Sequence, residues 1–263
     1  CFAMLACTAC GRGADAVVLA VPISLHQSGF TDFVVPQFER EFGVRVTVVA
    51  TNEGFDLARS GQADVFVGHE PEGEQRLIEE GVIGFYRKVM FNRFVLVGPA
   101  DDPAGVREAG SAGDAFRRIA ATGALYLSRD DRSPTFAREQ QLWELAGVAP
   151  ASVIVTKSDM ASTLRAASEQ NAYTLTVRSI YERMRKDLAL APLFEHDDAM
   201  LNTYGLGVRK DGPAGAQRFA EWLSEGGGRP LVERFRIGGR AVFSVWPVTA
   251  PSKSPASVPM DMP

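Results

Sequence analysis

The chain has 263 residues, of which 46% are hydrophobic and 23% charged. That is enough to bury one large core or two smaller ones, and too ordinary a charge for a disordered or membrane-spanning protein. With 28 basic against 32 acidic residues the formal net charge is −4, which argues against nucleic acid as a partner because phosphate-backbone binders are basic. A small anion is not excluded, since it responds to the field in a cleft and not to the total. All three cysteines, Cys1, Cys7 and Cys10, fall in the first ten residues, so the body of the chain has no disulfide and no thiolate metal site.

The opening CFAMLACTACGRG is apolar and rich in small residues, and is expected to be the tail of a secretory leader. Thr8-Ala9-Cys10-Gly11 resembles a bacterial lipoprotein processing site, which makes Cys10 a candidate for lipidation with Cys7 as its rival. The expected location is the periplasm or the outer face of the cell membrane. No other stretch reaches the roughly 18 apolar residues of a spanning helix.

From residue 16 onward, short apolar runs alternate with helix-period segments. AVVLAVP (16–22) reads as a buried strand, and 31–42 as a helix with Phe33, Val34, Phe38 and Phe42 at helical spacing. Thr31 is the expected N-cap of that helix and Gly43 its stop. Residues 44–50 alternate as a strand, 53–61 as a short helix and 63–68 as the next strand, which is a parallel-sheet unit. A second series follows: strand 91–99, helix 114–123, strand 124–128, helix 134–147, strand 152–158, helix 160–171, strand 172–177 and helix 179–187. A late strand at 204–208 and a helix at 215–227 close the order, before a Pro/Ser-rich tail expected to be disordered.

Two such series fit an α/β protein of two lobes. Residues 16–96 and 203–250 are expected to form the first, 97–202 the second, with 251–263 as the tail. A cleft between such lobes is the default ligand site, because strand ends and helix starts converge there. The loops expected to face it are 22–29, 69–73, 128–135 and 157–162. Among them SRDDRSPTF (128–136) has Ser133-Pro134 as a helix start, and Arg129 among the three hydroxyls of Ser128, Ser133 and Thr135. A fixed guanidinium fork with hydroxyl and amide donors suits a tetrahedral oxyanion, which offers only acceptors.

Much of the chain between residues 16 and 243 resembles the tungstate/molybdate-binding proteins of bacterial ABC importers, the TupA-like branch of the periplasmic binding proteins. GQADVFVGHEP, NRFVLVGPADDPAG, FRRIAATGALYLSRDD, WELAGVAP, LRAASEQNAYTLTVR and FAEWL carry the resemblance, in order. It implies a two-lobed, type II periplasmic-binding-protein fold, each lobe a mainly parallel sheet flanked by helices. It also implies binding of a small oxyanion between the lobes, delivery to a membrane permease, and no catalysis or cofactor.

Carried over position by position, the resemblance makes Ser24, Ser128, Arg129, Ser133, Thr135 and Arg178 ligand-binding candidates, with His69, Asp130 and Asp131 as further cleft-lining candidates. It also thins at the ligand loops. Val21 and Pro22 stand where the family has threonines, and Asp130, Pro134 and Phe136 where it has Gly, Gly and His. A hydrogen bond to a charged group contributes about 1.5–3 kcal/mol, so these changes oppose tight tungstate binding and point to a weaker or re-tuned anion site.

A metal site is not expected, because His26, His69 and His196 have no ligand spacing. The alternative reading is an enzyme of the same two-lobed fold acting on a small anionic substrate; neither a nucleophile elbow nor a reactive cysteine supports it. A ligand sensor is a third reading, against which stand the exported-looking start and the lack of a helix-turn-helix segment. The protein is expected to act as a monomer.

Overall fold

The structure, a computed structural model, describes residues 16–131 and 133–247. Cys1, Cys7 and Cys10 of the expected leader, Arg132 and the expected tail lie outside the described residues.

Strand β1 (Ala16–Val21) is followed by helices α1 (Ile23–Gln27) and α2 (Phe30–Phe42), then β2 (Arg45–Ala50), α3 (Gly54–Arg59), β3 (Val65–Gly68) and α4 (Pro71–Glu79). β4 (Ile83–Pro99) leads out of this group. Next come α5 (Ala112–Thr122), β5 (Leu125–Ser128), α6 (Pro134–Ala146), β6 (Ser152–Val155), α7 (Met160–Glu169), β7 (Thr174–Val177), α8 (Arg178–Met184) and β8 (Leu190–Phe194). β9 (Leu201–Arg209) leads back, to α9 (Ala214–Ser224), α10 (Arg229–Arg234) and the short strands β10 (Arg236–Ile237), β11 (Arg240–Ala241) and β12 (Ser244–Val245).

The first lobe is built on a sheet in the order β12-β4-β9-β3-β1-β2. Its β1, β2 and β3 are parallel, and β9 and β4 add antiparallel neighbours. In the second lobe β5 and β6 are parallel, and β5 joins the start of β7 through Leu127 N–H to Tyr173 C=O at 2.8 Å. The far half of β4 lies antiparallel to both β7 and β8. Both sheets are therefore mixed. The parallel strand–helix–strand cores come from local crossovers, while the antiparallel pairs come from β4, which continues from the first lobe into the second, and from β9, which begins where the chain returns to the first lobe.

β4 is a single strand of 17 residues, longer than the expected 91–99. Its first part pairs with β9 as far as Arg93↔Leu201, and from Phe94 it pairs with β7. Met90 belongs to the first hydrophobic core; Phe94, Val95, Leu96 and Val97 belong to the second. In the first core α2 and α9 meet through Phe38, whose ring lies edge-on to Phe219 at 5.0 Å. Full burial of such a side chain stabilises by about 1.5–3 kcal/mol. In the second, Trp143 stands edge-on to both Phe116 (4.6 Å) and Tyr126 (5.2 Å).

Two local expectations change. Residues 23–27 coil into α1 instead of forming a loop, and α2 begins after Gly29, whose φ of 83° breaks the helical path. Thr31 is thereby buried in the first turn of α2, where its hydroxyl meets Nδ1 of His26 at 2.7 Å, and it caps nothing. Gly43 does end α2, at φ 69°.

Candidate functional site

A cleft of about 210 Å³ lies where the ends of the parallel strands of the two lobes face each other. From the first lobe come Ile23, Ser24 and Gln27 of α1, Asn52 after β2 and His69 after β3. From the second come Arg129, Asp131 and Ser133 in the β5–α6 connection and Thr135 in the first turn of α6, with Lys157, Ser158 and Asp159 between β6 and α7.

Arg129 is the central cation. It is only 6% exposed; its Nη2 donates to Asp131 Oδ2, and its Nε to the Ser158 carbonyl at 3.4 Å. Burial pulls the guanidinium below its ordinary range, and the adjoining Asp131 opposes that pull. The same Asp131 accepts the Ser133 N–H at 3.1 Å, so it ties the arginine to the start of α6. Ser133 caps that helix by accepting the Phe136 N–H at 3.2 Å, with Pro134 at the first helical position. Its O–H and that of Thr135 lie in a buried, donor-rich wall.

Across the cleft His69 is held from behind. Its Nδ1 lies 3.0 Å from Asn202 Oδ1, and its ring stacks on Tyr204 at 5.4 Å. Asn202 Nδ2 donates in turn to Asn92 Oδ1 at 2.7 Å and to the Tyr204 hydroxyl at 2.9 Å. Burial lowers the His69 pKa to about 4, with the Arg129 charge adding and the Asn202 bond opposing. The imidazole is therefore neutral at neutral pH and serves as a polar wall, not a second cation.

Ser24, His69, Arg129, Asp131, Ser133 and Thr135 thus share one cleft, and three other candidates do not line it. Ser128 is buried behind the wall, beside Glu139. Asp130 has φ 44°, a left-handed turn that sends its side chain to the same rear hollow. Arg178 starts α8, where its guanidinium lies 2.9 Å from both Glu182, four residues on, and Glu195. Those two carboxylates satisfy it away from the cleft. Asn52 and Gln27 escaped the sequence reading, being single polar residues in unremarkable contexts; position after a parallel strand was the only signal for Asn52. Among the described residues there is no cluster of three or more His, Cys, Asp or Glu side chains arranged for a metal ion.

Two α/β lobes, a chain that crosses between them along β4 and returns at the start of β9, and a polar cleft at the strand ends define a solute-binding protein fold. A family model described as the PBP superfamily domain matches residues 14–225. The tungstate-binding protein TupA of Peptoclostridium acidaminophilum is 32% identical over 220 residues, covering 79% of this chain and 77% of that protein. Among solved structures, the tungstate-binding TupA from Desulfovibrio alaskensis G20 superposes with a TM-score of 0.78 at 26% identity, over 88% of this chain and 98% of its own. The tungstate ABC transporter structure from Geobacter sulfurreducens gives 0.76 at 29%, over 85% and 100%. The chain belongs to the periplasmic-binding-protein superfamily, in its TupA-like branch.

Proposed function

We propose that this protein is the extracytoplasmic solute-binding component of an ABC importer and holds a small oxyanion of the tungstate/molybdate kind between its lobes. One observation carries the reading: a buried guanidinium, Arg129, faces the gap between the lobes with its orientation fixed by Asp131 and Ser158. Arg129 supplies charge; Ser24, Ser133, Thr135 and Ser158 supply donors of adjustable direction. Lobe closure around the anion excludes water and gives a membrane permease a closed form to recognise. The protein binds and releases its ligand unchanged, acts as a monomer, and is held outside the cytoplasm, anchored through Cys10 or Cys7 or free. Arg178 has no part in the site, because its charge is already spent on Glu182 and Glu195.

A thermal-shift and calorimetric screen of tungstate, molybdate, sulfate and small carboxylates tests this. Ligand at about 100 times its dissociation constant adds about 2.7 kcal/mol to stability, so binding is visible even where it is weak. At least one oxyanion is expected to raise the melting temperature of the wild type and to lose that effect in Arg129→Ala. Equal affinity in the variant would refute the site.

A further inference from the structure

His69 brings to the cleft a group that a bare oxyanion cannot match. It has two ring nitrogens, and the packing behind it decides which of them carries the hydrogen. Nδ1 lies 3.0 Å from Asn202 Oδ1, an oxygen that can only accept, so Nδ1 holds the hydrogen. The Asn202 amide is itself fixed that way round. Its Nδ2 donates to Asn92 Oδ1 at 2.7 Å and to the Tyr204 hydroxyl at 2.9 Å, and turning it over would set its oxygen against that of Asn92. Tyr204, stacked at 16° between ring planes, holds the plane of the imidazole. Nε2 is therefore a lone pair on the cleft wall, with no hydrogen bond from the protein among the described residues.

Resting on the reading of the cleft as an oxyanion site, we propose that His69 makes it selective for an oxyanion that carries a proton, whose O–H donates to Nε2 while its ionised oxygens lie on Arg129. A tetrahedral oxyanion stripped of its protons offers only acceptors. It suits Arg129, Ser133 and Thr135 but meets Nε2 lone pair to lone pair. Hydrogen phosphate and sulfate, two dianions of one shape, differ at that contact by a single hydrogen. A site whose acceptor is left unpaired rejects the ligand that cannot fill it, so discrimination comes from the missing bond and not from size. A fully ionised tungstate or molybdate must take a proton from solution to lie between its oxygen and Nε2. The free imidazole does not already hold that proton, since burial lowers its pKa to about 4 and the Arg129 charge acts in the same direction. The charged or titratable groups around it are Arg129 and Asp131 across the cleft, Lys157 and Asp159 on the β6–α7 connection, Glu70 next in sequence and Tyr204 against the ring.

The test is calorimetry at mildly alkaline pH, where phosphate keeps one proton and sulfate, tungstate and molybdate keep none, in two buffers of different ionisation enthalpy. Wild type is expected to bind hydrogen phosphate about tenfold or more tighter than sulfate. It should take up a proton with tungstate or molybdate and none with hydrogen phosphate. His69→Gln, whose amide turns either a donor or an acceptor to the cleft, should bring the phosphate-to-sulfate ratio close to one and abolish the uptake. His69→Phe, which keeps a ring against Tyr204, should do the same; if it fails to fold, the Gln variant decides alone. Nitrogen-15 shifts of the free protein should place the imidazole hydrogen on Nδ1. Sulfate bound as tightly as hydrogen phosphate, tungstate or molybdate bound without proton uptake, either effect surviving in His69→Gln, or an Nε2–H tautomer would each overturn the proposal. Failure of the wild type to bind any of the four anions would instead overturn the reading of the cleft, and this inference with it.

Discussion

At the scale of single residues, the cleft depends on a reversal of chain direction that lasts one residue. Arg129 and Asp130 are neighbours, yet one side chain enters the cleft and the other the hollow behind it. The φ of 44° at Asp130 produces this, and among non-glycine residues Asp and Asn tolerate it best. The TupA-like pattern has glycine here, consistent with a backbone that demands the left-handed region. Asp130→Val should therefore cost about 1–2 kcal/mol of stability and weaken anion binding, while Asp130→Gly should retain both; chemical denaturation and calorimetry check the pair. A valine variant as stable as wild type would show that the turn is not held in this conformation. The same residue marks a boundary of what the sequence could reveal. Residue types pointed to the loop that brings Arg129, Ser133 and Thr135 to the cleft. They could not tell that Ser128 and Asp130 look backward, because that depends on the backbone dihedral at Asp130. Nor could they tell that Arg178 meets two carboxylates, one of them seventeen residues away.

At the scale of elements, most of the fold was legible because it is written in local periodicity: helices with one apolar face, and short β-branched strands between them. The exception is β4. Its first half, GFYRKV, has no clean alternation, and only pairing with β9 nine residues deep makes it a strand. Its second half is packed so tightly that Gly98 has no room for a side chain: a Cβ there would meet the Tyr173 ring at 2.5 Å and Leu193 at 2.9 Å. Tyr173 cannot simply swing aside, because its hydroxyl donates to Asp102 at 3.0 Å and accepts the Ala104 N–H at 2.9 Å. Gly98→Ala should accordingly destabilise the protein by about 1–3 kcal/mol, the range for overpacking a filled core, as read from a shift in the urea midpoint. No shift would mean that this part of the second lobe yields more easily than its packing implies.

At the scale of the whole molecule, the place where the two lobes meet is marked by polar groups and not by apolar ones. Asn92 and Asn202 face each other in register on β4 and β9 at the crossing, 4% and 2% exposed. They are bonded to each other, to Ser179 of α8 in the second lobe at 3.4 Å, and to His69 on the first lobe's cleft wall. Buried amides of this kind must keep their partners or lose about 1–3 kcal/mol each, so the crossing has a preferred geometry about which the separate hydrophobic cores can move. Elsewhere the lobes touch through exchangeable contacts, such as Arg183 to the Ser28 carbonyl at 3.3 Å and Arg240 to Glu182 at 3.7 Å. Strong bonding at the hinge with weak bonding beside it is the arrangement that lets a ligand set the angle between two rigid bodies. Saturating oxyanion should then lower the radius of gyration from its ligand-free value, of the order of 18 Å for a compact chain of this length. Small-angle scattering measures that change directly. Arg129→Ala should show no contraction at the same anion concentration, and a wild type that binds anion without contracting would leave the cleft a fixed pocket and remove closure from the mechanism.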